Sequence, residues 1–165
     1  MNYNLAIIGL GYVGLPLALA FGKCFKTIGY DIDLKRINEL IKGFDRNNES
    51  SHNNFVKSKF ITFTNEKNKL KNANVYIVTV PTPVYKNKKP DCRLLIKACK
   101  LIGKILKKND IVIFESTVFP GMTEDICVPI LSKISGLFLN LDFYVGYSPE
   151  RINPGDTKRN LKNIP

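Results

Sequence analysis

Gly9, Gly11 and Gly14 carry the spacing Gly-x-Gly-x-x-Gly, directly after the apolar run Leu5–Ile8 and directly before Pro16-Leu17-Ala18-Leu19-Ala20-Phe21. Each glycine answers a separate need of a site that grips a dinucleotide diphosphate. Gly9 permits a tight strand-to-helix turn, Gly11 lets the backbone approach a pyrophosphate, and Gly14 lets the helix pack close to the strand. The helix that follows offers N–H groups and a positive dipole end to the phosphates. Asp31, 22 positions beyond Gly9, ends the second apolar run. A carboxylate there accepts hydrogen bonds from both hydroxyls of an adenosine ribose and repels a 2′-phosphate, which favours NAD over NADP. Arg36 either lies over the adenine or reaches the phosphates, or else is a solvated helix charge.

Three later positions end apolar runs in the same way. Thr82 sits between Pro81 and Pro83. The two prolines make a stiff turn with few donors, so its hydroxyl is either held for a ligand or part of a plain strand terminator. Ser116 and Thr117 follow Ile111–Phe114; they are caps, or ligand groups at the carboxyl end of a strand. Ser148-Pro149-Glu150-Arg151 closes the last run.

The elements that position these residues alternate. Strands are expected at 5–8, 26–31, 60–63, 75–80, 111–114 and 142–147. The fourth is apolar on both faces, as a central parallel strand should be. Helices are expected after Pro16, over 34–42 behind an Asp33 cap, over 66–71, from Asp91 through Ile105, and over 123–132. Residues 44–59 are rich in Asn and Ser and read as a surface excursion with one helical turn, in which His52 is solvated. Right-handed crossovers then give an α/β fold, a Rossmann-type doubly wound parallel sheet with strand order 3-2-1-4-5-6 and helices on both faces. The loops after strands 1, 4, 5 and 6 all fall on its carboxyl edge, where such sheets bind ligands.

Length and composition bound the rest. The chain has 165 residues, 44% of them hydrophobic, enough for one domain with a sizeable core. No apolar run reaches the ~18 residues that would span a membrane, and no signal peptide is recognisable, so a cytoplasmic protein without a membrane partner is expected. Cys24, Cys92, Cys99 and Cys127 form no C-x-x-C pair. They read as reduced thiols packed as small apolar groups, with no metal site. Lysine and arginine number 25 against 14 acids. Lys100, Lys104, Lys107 and Lys108 are expected on one side of a helix, opposite Leu101, Ile105 and Leu106. No aromatics interleave with the basic residues as a nucleic-acid groove would want. The charge therefore reads as solvated faces with modest steering of an anionic ligand, and no nucleic-acid partner is expected.

The motifs 9–16, Tyr30-Asp31-Ile32-Asp33, Val80-Pro81-Thr82-Pro83, Glu115-Ser116-Thr117-Val118 and Ser148-Pro149-Glu150-Arg151 resemble, in order and across essentially the whole chain, the UDP-glucose/GDP-mannose dehydrogenase family. Residues 123–131 and 148–156 lean toward the branch that oxidises UDP-N-acetylhexosamines. The resemblance implies an NAD-dependent, four-electron oxidation of the C6 alcohol of a UDP-sugar to a carboxylate, with two NAD⁺ consumed. The Gly9–Gly14 turn, Tyr12 and Val13 included, would hold the pyrophosphate, Asp31 the adenosine ribose, and Arg36 the adenosine end. Thr82 and Thr117 match positions lining the nicotinamide half. Thr117 also matches a threonine associated with the catalytic water, and Glu150 a glutamate near the reacting centre, where a carboxylate suits an alcohol that must lose its proton.

The sequence departs from the family pattern in one decisive respect. The family's nucleophilic cysteine, in a Gly-rich Cys-x-x-Lys-Asp type motif, has no counterpart among the four cysteines, and the supporting lysine and asparagine are missing too. Without a thiolate to hold the aldehyde, the second oxidation has no route. Residues 1–150 are thus expected to form an NAD-binding domain and 151–165 the start of a linker toward an absent sugar-binding domain. The fragment alone is expected to bind cofactor without turnover, and the full-length protein to be a homodimer or larger. A non-catalytic NAD(H)-sensing module is the alternative; it needs only the glycine turn and Asp31, and leaves Thr82, Thr117 and Glu150 unexplained.

Overall fold

The computed structural model describes residues 2–85, 87–116 and 119–149. Thr117, Glu150 and the expected linker 151–165 lie outside the described residues. Short β-branched and apolar runs form the strands Leu5–Ile8 (β1), Thr27–Tyr30 (β2), Ile61–Thr64 (β3), Val75–Val78 (β4), Ile111–Phe114 (β5) and Tyr144–Tyr147 (β6). They make one six-stranded parallel sheet in the order β3-β2-β1-β4-β5-β6, as expected. The helices are Gly14–Phe21 (α1), Leu34–Ile41 (α2), His52–Lys57 (α3), Arg93–Gly103 (α4) and Val128–Ser135 (α5), with a 3₁₀ turn at Lys67–Asn72.

Alternation along the strands divides the core in two. Ala6, Ile8, Tyr76 and Val78 pack with Leu95, Ala98, Cys99 and Ile102 of α4 and Leu131 of α5. Leu5, Ile7, Val75 and Ile77 pack on the other face with Leu15, Ala18 and Leu19 of α1 and Ile37 and Leu40 of α2. The register aligns the strand ends: Thr64, Tyr30, Ile8, Val78, Phe114 and Tyr147 form one rung across the sheet. Asp31, Gly9, Thr79, Glu115 and Ser148 therefore leave the sheet at one level, which is what assembles the site.

Several boundaries differ from the sequence expectation, each for a local reason. β4 stops at Val78 and releases Thr79 and Val80 to the carboxyl edge. β6 starts at Tyr144, because the Asp142 carboxylate instead closes a turn by accepting from Phe138 N at 3.0 Å. α4 ends at Gly103, where α5 crosses so closely that a Cβ would lie 2.9 Å from that of Ile134. Lys107 and Lys108 therefore lie beyond the helix; Lys107 Nζ donates to the carbonyls of Lys71 and Ala73, and Lys108 pairs with Asp142. The expected 123–132 helix is a π-helical turn, Met122–Cys127, running into α5. Pro129 has no N–H to give back to the preceding turn, and the ladder widens ahead of it.

Cys99 and Cys127 are buried against each other, whereas Cys24 is exposed, contrary to the packed reading. The Cys127 thiol, hydrogen-bonded to Cys99, and burial push the Cys99 thiol up. Among the described residues no helix is long and apolar enough to cross a membrane, and no three His, Cys, Asp or Glu side chains gather as a metal site.

Candidate functional site

Two adjoining cavities open along the carboxyl edge. The larger, about 620 Å³, is bounded by the glycine turn, the β2 end with Asp31, and the face of α4 that carries Leu94, Ala98 and Leu101. The smaller, about 370 Å³, is lined by Tyr12, Val13, Thr79, Thr82, Glu115 and Ser116. Gly11, Val80 and Pro81 line both. A continuous cleft thus crosses the glycine turn, with an apolar-floored chamber rimmed by Asp31 and basic side chains on one side and a smaller chamber that includes Thr79, Thr82, Glu115 and Ser116 on the other.

The three glycines do different work. Gly9 takes φ +99° at the end of β1, a backbone conformation that side chains resist. A Cβ on Gly14 would sit 1.9 Å from Gly9 O, so this glycine lets α1 approach the strand. A Cβ on Gly11 would meet nothing within 4 Å. Protein packing does not require glycine there; the open space on its flank does, if a ligand fills it. α1 begins at Val13 with no side-chain cap and no acid in its first turn, so its amide end is left for an anion.

Asp31 is half-buried and already engaged. Oδ2 accepts from Leu10 N at 2.8 Å and Oδ1 from Asp33 N at 2.9 Å. A carboxylate has about four acceptor sites, so two remain for a ribose. Its charge and burial together push the neighbouring Tyr30 phenol up, burial being the larger cause. Asp33 caps α2 as expected, accepting from Lys35 N, and backbone N–H groups, that of Arg36 foremost, hold its carboxyl below the ordinary range.

Arg36 is not the solvated charge of one sequence reading: it is 5% exposed. Nε donates to Leu10 O at 3.1 Å, Nη1 lies 2.7 Å from Asp45 Oδ1, and Nη2 is buried with no hydrogen-bond partner among the described residues. The Nη1 contact has ion-pair distance without hydrogen-bond alignment. A buried donor without an acceptor costs about 1–3 kcal/mol, and this one belongs to a wall residue of the larger cavity.

Thr79 Oγ1 fastens the same turn by donating to Gly9 O at 2.7 Å, and Ser116 Oγ holds the neighbouring loop by donating to Val80 O at 2.7 Å. Lys67, Lys97, Lys100, Lys104 and Arg46 also line the larger cavity. Part of the chain's positive charge is therefore gathered where it attracts an anionic ligand.

The model of the UDP-glucose/GDP-mannose dehydrogenase family, NAD binding domain, matches residues 3–165. The chain belongs to this family. It is 54% identical over 161 residues to the UDP-N-acetyl-D-glucosamine 6-dehydrogenase of Salmonella typhi, covering 98% of this chain and 38% of that protein. The protein of the same description from Pseudomonas aeruginosa is 52% identical over 163 residues, covering 99% of this chain and 39% of that protein. The UDP-D-ManNAc dehydrogenase structure from Pyrococcus horikoshii superposes with a TM-score of 0.82 at 32% identity, covering 92% of this chain and 37% of that one. The chain thus spans well under half the length of these relatives.

NAD is the cofactor of this domain, and the residues present fit it. The uncapped α1 terminus and the open flank of Gly11 suit a pyrophosphate, the free acceptor sites of Asp31 a ribose, and the apolar chamber an adenine. Of the residues singled out from sequence, the structure gathers Gly9, Gly11, Tyr12, Val13, Gly14, Asp31, Arg36 and Thr82 around this one cleft. Sequence reasoning missed Thr79 and Asp45. Thr79 is the one threonine within the apolar run Val75–Val80. Asp45 begins an Asn-rich turn, a signal for loop chemistry but not for burial.

Proposed function

We propose that this chain is the NAD-holding part of a longer nucleotide-sugar 6-dehydrogenase that oxidises the C6 alcohol of a UDP-N-acetylhexosamine, with UDP-glucose as the runner-up substrate. The observation that carries the reading is the two-chambered cleft meeting at Gly11, with Asp31 and the apolar face of α4 on one side and Thr82, Glu115 and Ser116 on the other. The names of the two relatives at 54% and 52% identity support the N-acetylhexosamine.

In this reading the Gly9–Gly14 turn with Tyr12 and Val13 binds the pyrophosphate. Asp31 binds the adenosine ribose, Arg36 the adenosine end, and Thr82 the nicotinamide half. Thr117 and Glu150, by family resemblance, serve the nicotinamide end, Thr117 orienting the water and Glu150 taking the proton that the alcohol releases. Bound NAD⁺ supplies the hydride acceptor, so that one alcohol, one water and two NAD⁺ give one carboxylate, two NADH and three protons. The thiol nucleophile and the sugar pocket belong to the rest of the longer protein, reached through 151–165. That protein works in the cytoplasm as a homodimer or larger.

The test uses the 165-residue chain with NAD⁺, NADH and UDP-N-acetylglucosamine. Saturable binding of NAD⁺ and NADH with similar affinity, and no NADH formed from the UDP-sugar, are expected. NADH formation by this chain alone overturns the division of labour. A large preference for one redox form favours a sensing module instead.

A further inference from the structure

The adenosine side of the cleft has a support that does not line it. Asp45 lies in the polar stretch between α2 and α3, yet it is 5% exposed. Three amides hold its carboxylate: Asn47 N at 3.1 Å on Oδ1, and Glu49 N and Ser50 N at 2.9 and 3.0 Å on Oδ2. The loop is thereby wound around the carboxylate and fixes its direction. Oδ1 also meets Arg36 Nη1 at 2.7 Å. In the same arrangement Nε reaches Leu10 O at 3.1 Å. Leu10 N is taken in turn by Asp31. Nη2 is left buried without a partner among the described residues, on a residue that lines the larger cavity. A buried charged donor needs an acceptor, and Arg36 lines the cavity in which a ligand would offer one.

We propose that Asp45 is a positioning residue for NAD. It holds Arg36 so that one side of the guanidinium fastens the glycine turn and the other is presented to the adenosine half of the cofactor. Asp45 touches no cofactor atom itself. The inference rests on the reading of the larger cavity as the adenosine half.

Asp45→Asn separates this role from simple loop capping. The amide keeps the size and one oxygen for the loop N–H groups, and loses the charge that orders Arg36. Binding of NAD⁺ and of ADP-ribose to the 165-residue chain is measured by calorimetry, alongside thermal unfolding. The variant is expected to bind both ligands at least about tenfold more weakly and by the same factor, because the lost contact is on the adenosine side. In an Arg36→Met background the same substitution is expected to change affinity by less than about twofold, since the side chain it acts through is gone. Asp45→Glu restores the charge on a longer arm; it recovers part of the affinity and serves as the folded probe if the Asn variant fails to fold.

If the parent chain binds NAD⁺ and Asp45→Asn binds as tightly, or the loss persists undiminished without Arg36, the positioning role is overturned and the cavity reading stands. If the parent chain binds neither NAD⁺ nor ADP-ribose, the cavity reading fails and takes the inference with it.

Discussion

One methyl group added at Gly11 and the same group added at Gly14 should move the protein in opposite directions. At Gly14 the new Cβ falls 1.9 Å from Gly9 O and 2.4 Å from Thr79 Oγ1. Both neighbours belong to strand ends that cannot yield without moving the sheet edge. Overpacking of this kind costs about 1–3 kcal/mol. Displacing the Thr79 hydroxyl from Gly9 O forfeits a hydrogen bond worth about 1 kcal/mol more. At about 2–4 °C per kcal/mol for a chain this long, Gly14→Ala lowers the melting temperature by roughly 10 °C. At Gly11 the Cβ enters open space, and the residue is not among the glycines with positive φ. Restricting the unfolded chain there stabilises by about 0.4–1 kcal/mol, so Gly11→Ala without ligand melts at or slightly above the parent. In the proposed reading, however, the open space is the path of the pyrophosphate. Pushing the phosphates off one or two backbone donors removes charge-assisted bonds of about 1.5–3 kcal/mol each, which is tenfold or more in affinity. Thermal unfolding with and without NAD⁺ reads both effects. A ligand at a hundred times its dissociation constant stabilises the parent by about 2.7 kcal/mol, and that shift should collapse in Gly11→Ala. Gly11→Ala that keeps the full shift, or that melts as low as Gly14→Ala, refutes the assignment of the space beside Gly11 to the cofactor.

Two further outcomes follow from groups outside the glycine turn. Thr79→Val keeps the shape and removes the hydroxyl that holds Gly9 O at 2.7 Å; it should lower stability by about 1–2 kcal/mol and weaken NAD⁺ several-fold, with Thr79→Ser restoring both. Urea midpoints and NAD⁺ titration check this, and a Val variant of undiminished affinity would show that the hydroxyl serves packing alone. Asp91 caps the start of α4 and takes three contacts from the Arg93 side chain. Those side-chain hydrogen bonds, ahead of the Arg93 N–H, hold its carboxyl well below 3.8, its ordinary value. A lowered carboxyl contributes stability that is present above the unfolded value and lost as pH falls through the folded one. Asp91→Asn should therefore be less stable than the parent at pH 6, with the gap closing below pH 3; a gap of constant size contradicts the assignment.

What was legible in the sequence was whatever short-range chemistry decides. The apolar runs gave the strands, Asp33 gave the start of α2, and the Ile37–Leu40 spacing gave its buried face. Right-handed crossovers then left little choice of strand order. The features that stayed hidden are fixed by partners distant in sequence. Lys107 reads as a continuation of a helix, but its ammonium is claimed by carbonyls 34 and 36 positions earlier. Arg36 reads either as a ligand of the adenosine end or as a helix surface charge, and nothing local decides between them, because nothing local announces that Asp45 will be turned inward by its own loop. The π turn before α5 depends on Pro129 and on the left-handed Gly121 acting together, and neither alone distinguishes it from an ordinary helix start.

The glycine turn is the most visible motif in the chain and also its least self-sufficient part. Glycines lose more backbone freedom on ordering than other residues. A turn of three within six positions would therefore sample many shapes, and a cofactor would have to supply the ordering free energy. In this fold it is ordered beforehand, from behind. Leu10 is gripped at its N–H by Asp31 and at its carbonyl by Arg36, Gly9 is gripped at its carbonyl by Thr79, and Ser116 ties the next loop over to Val80 O. These clamps come from β2, α2, β4 and β5, so the alignment of strand ends across the sheet is what makes the turn a binding site rather than a flexible loop. Affinity for the dinucleotide should accordingly be more sensitive to Thr79, Arg36 and Asp45 than to the side chain of Tyr12, which belongs to the turn itself but is 37% exposed.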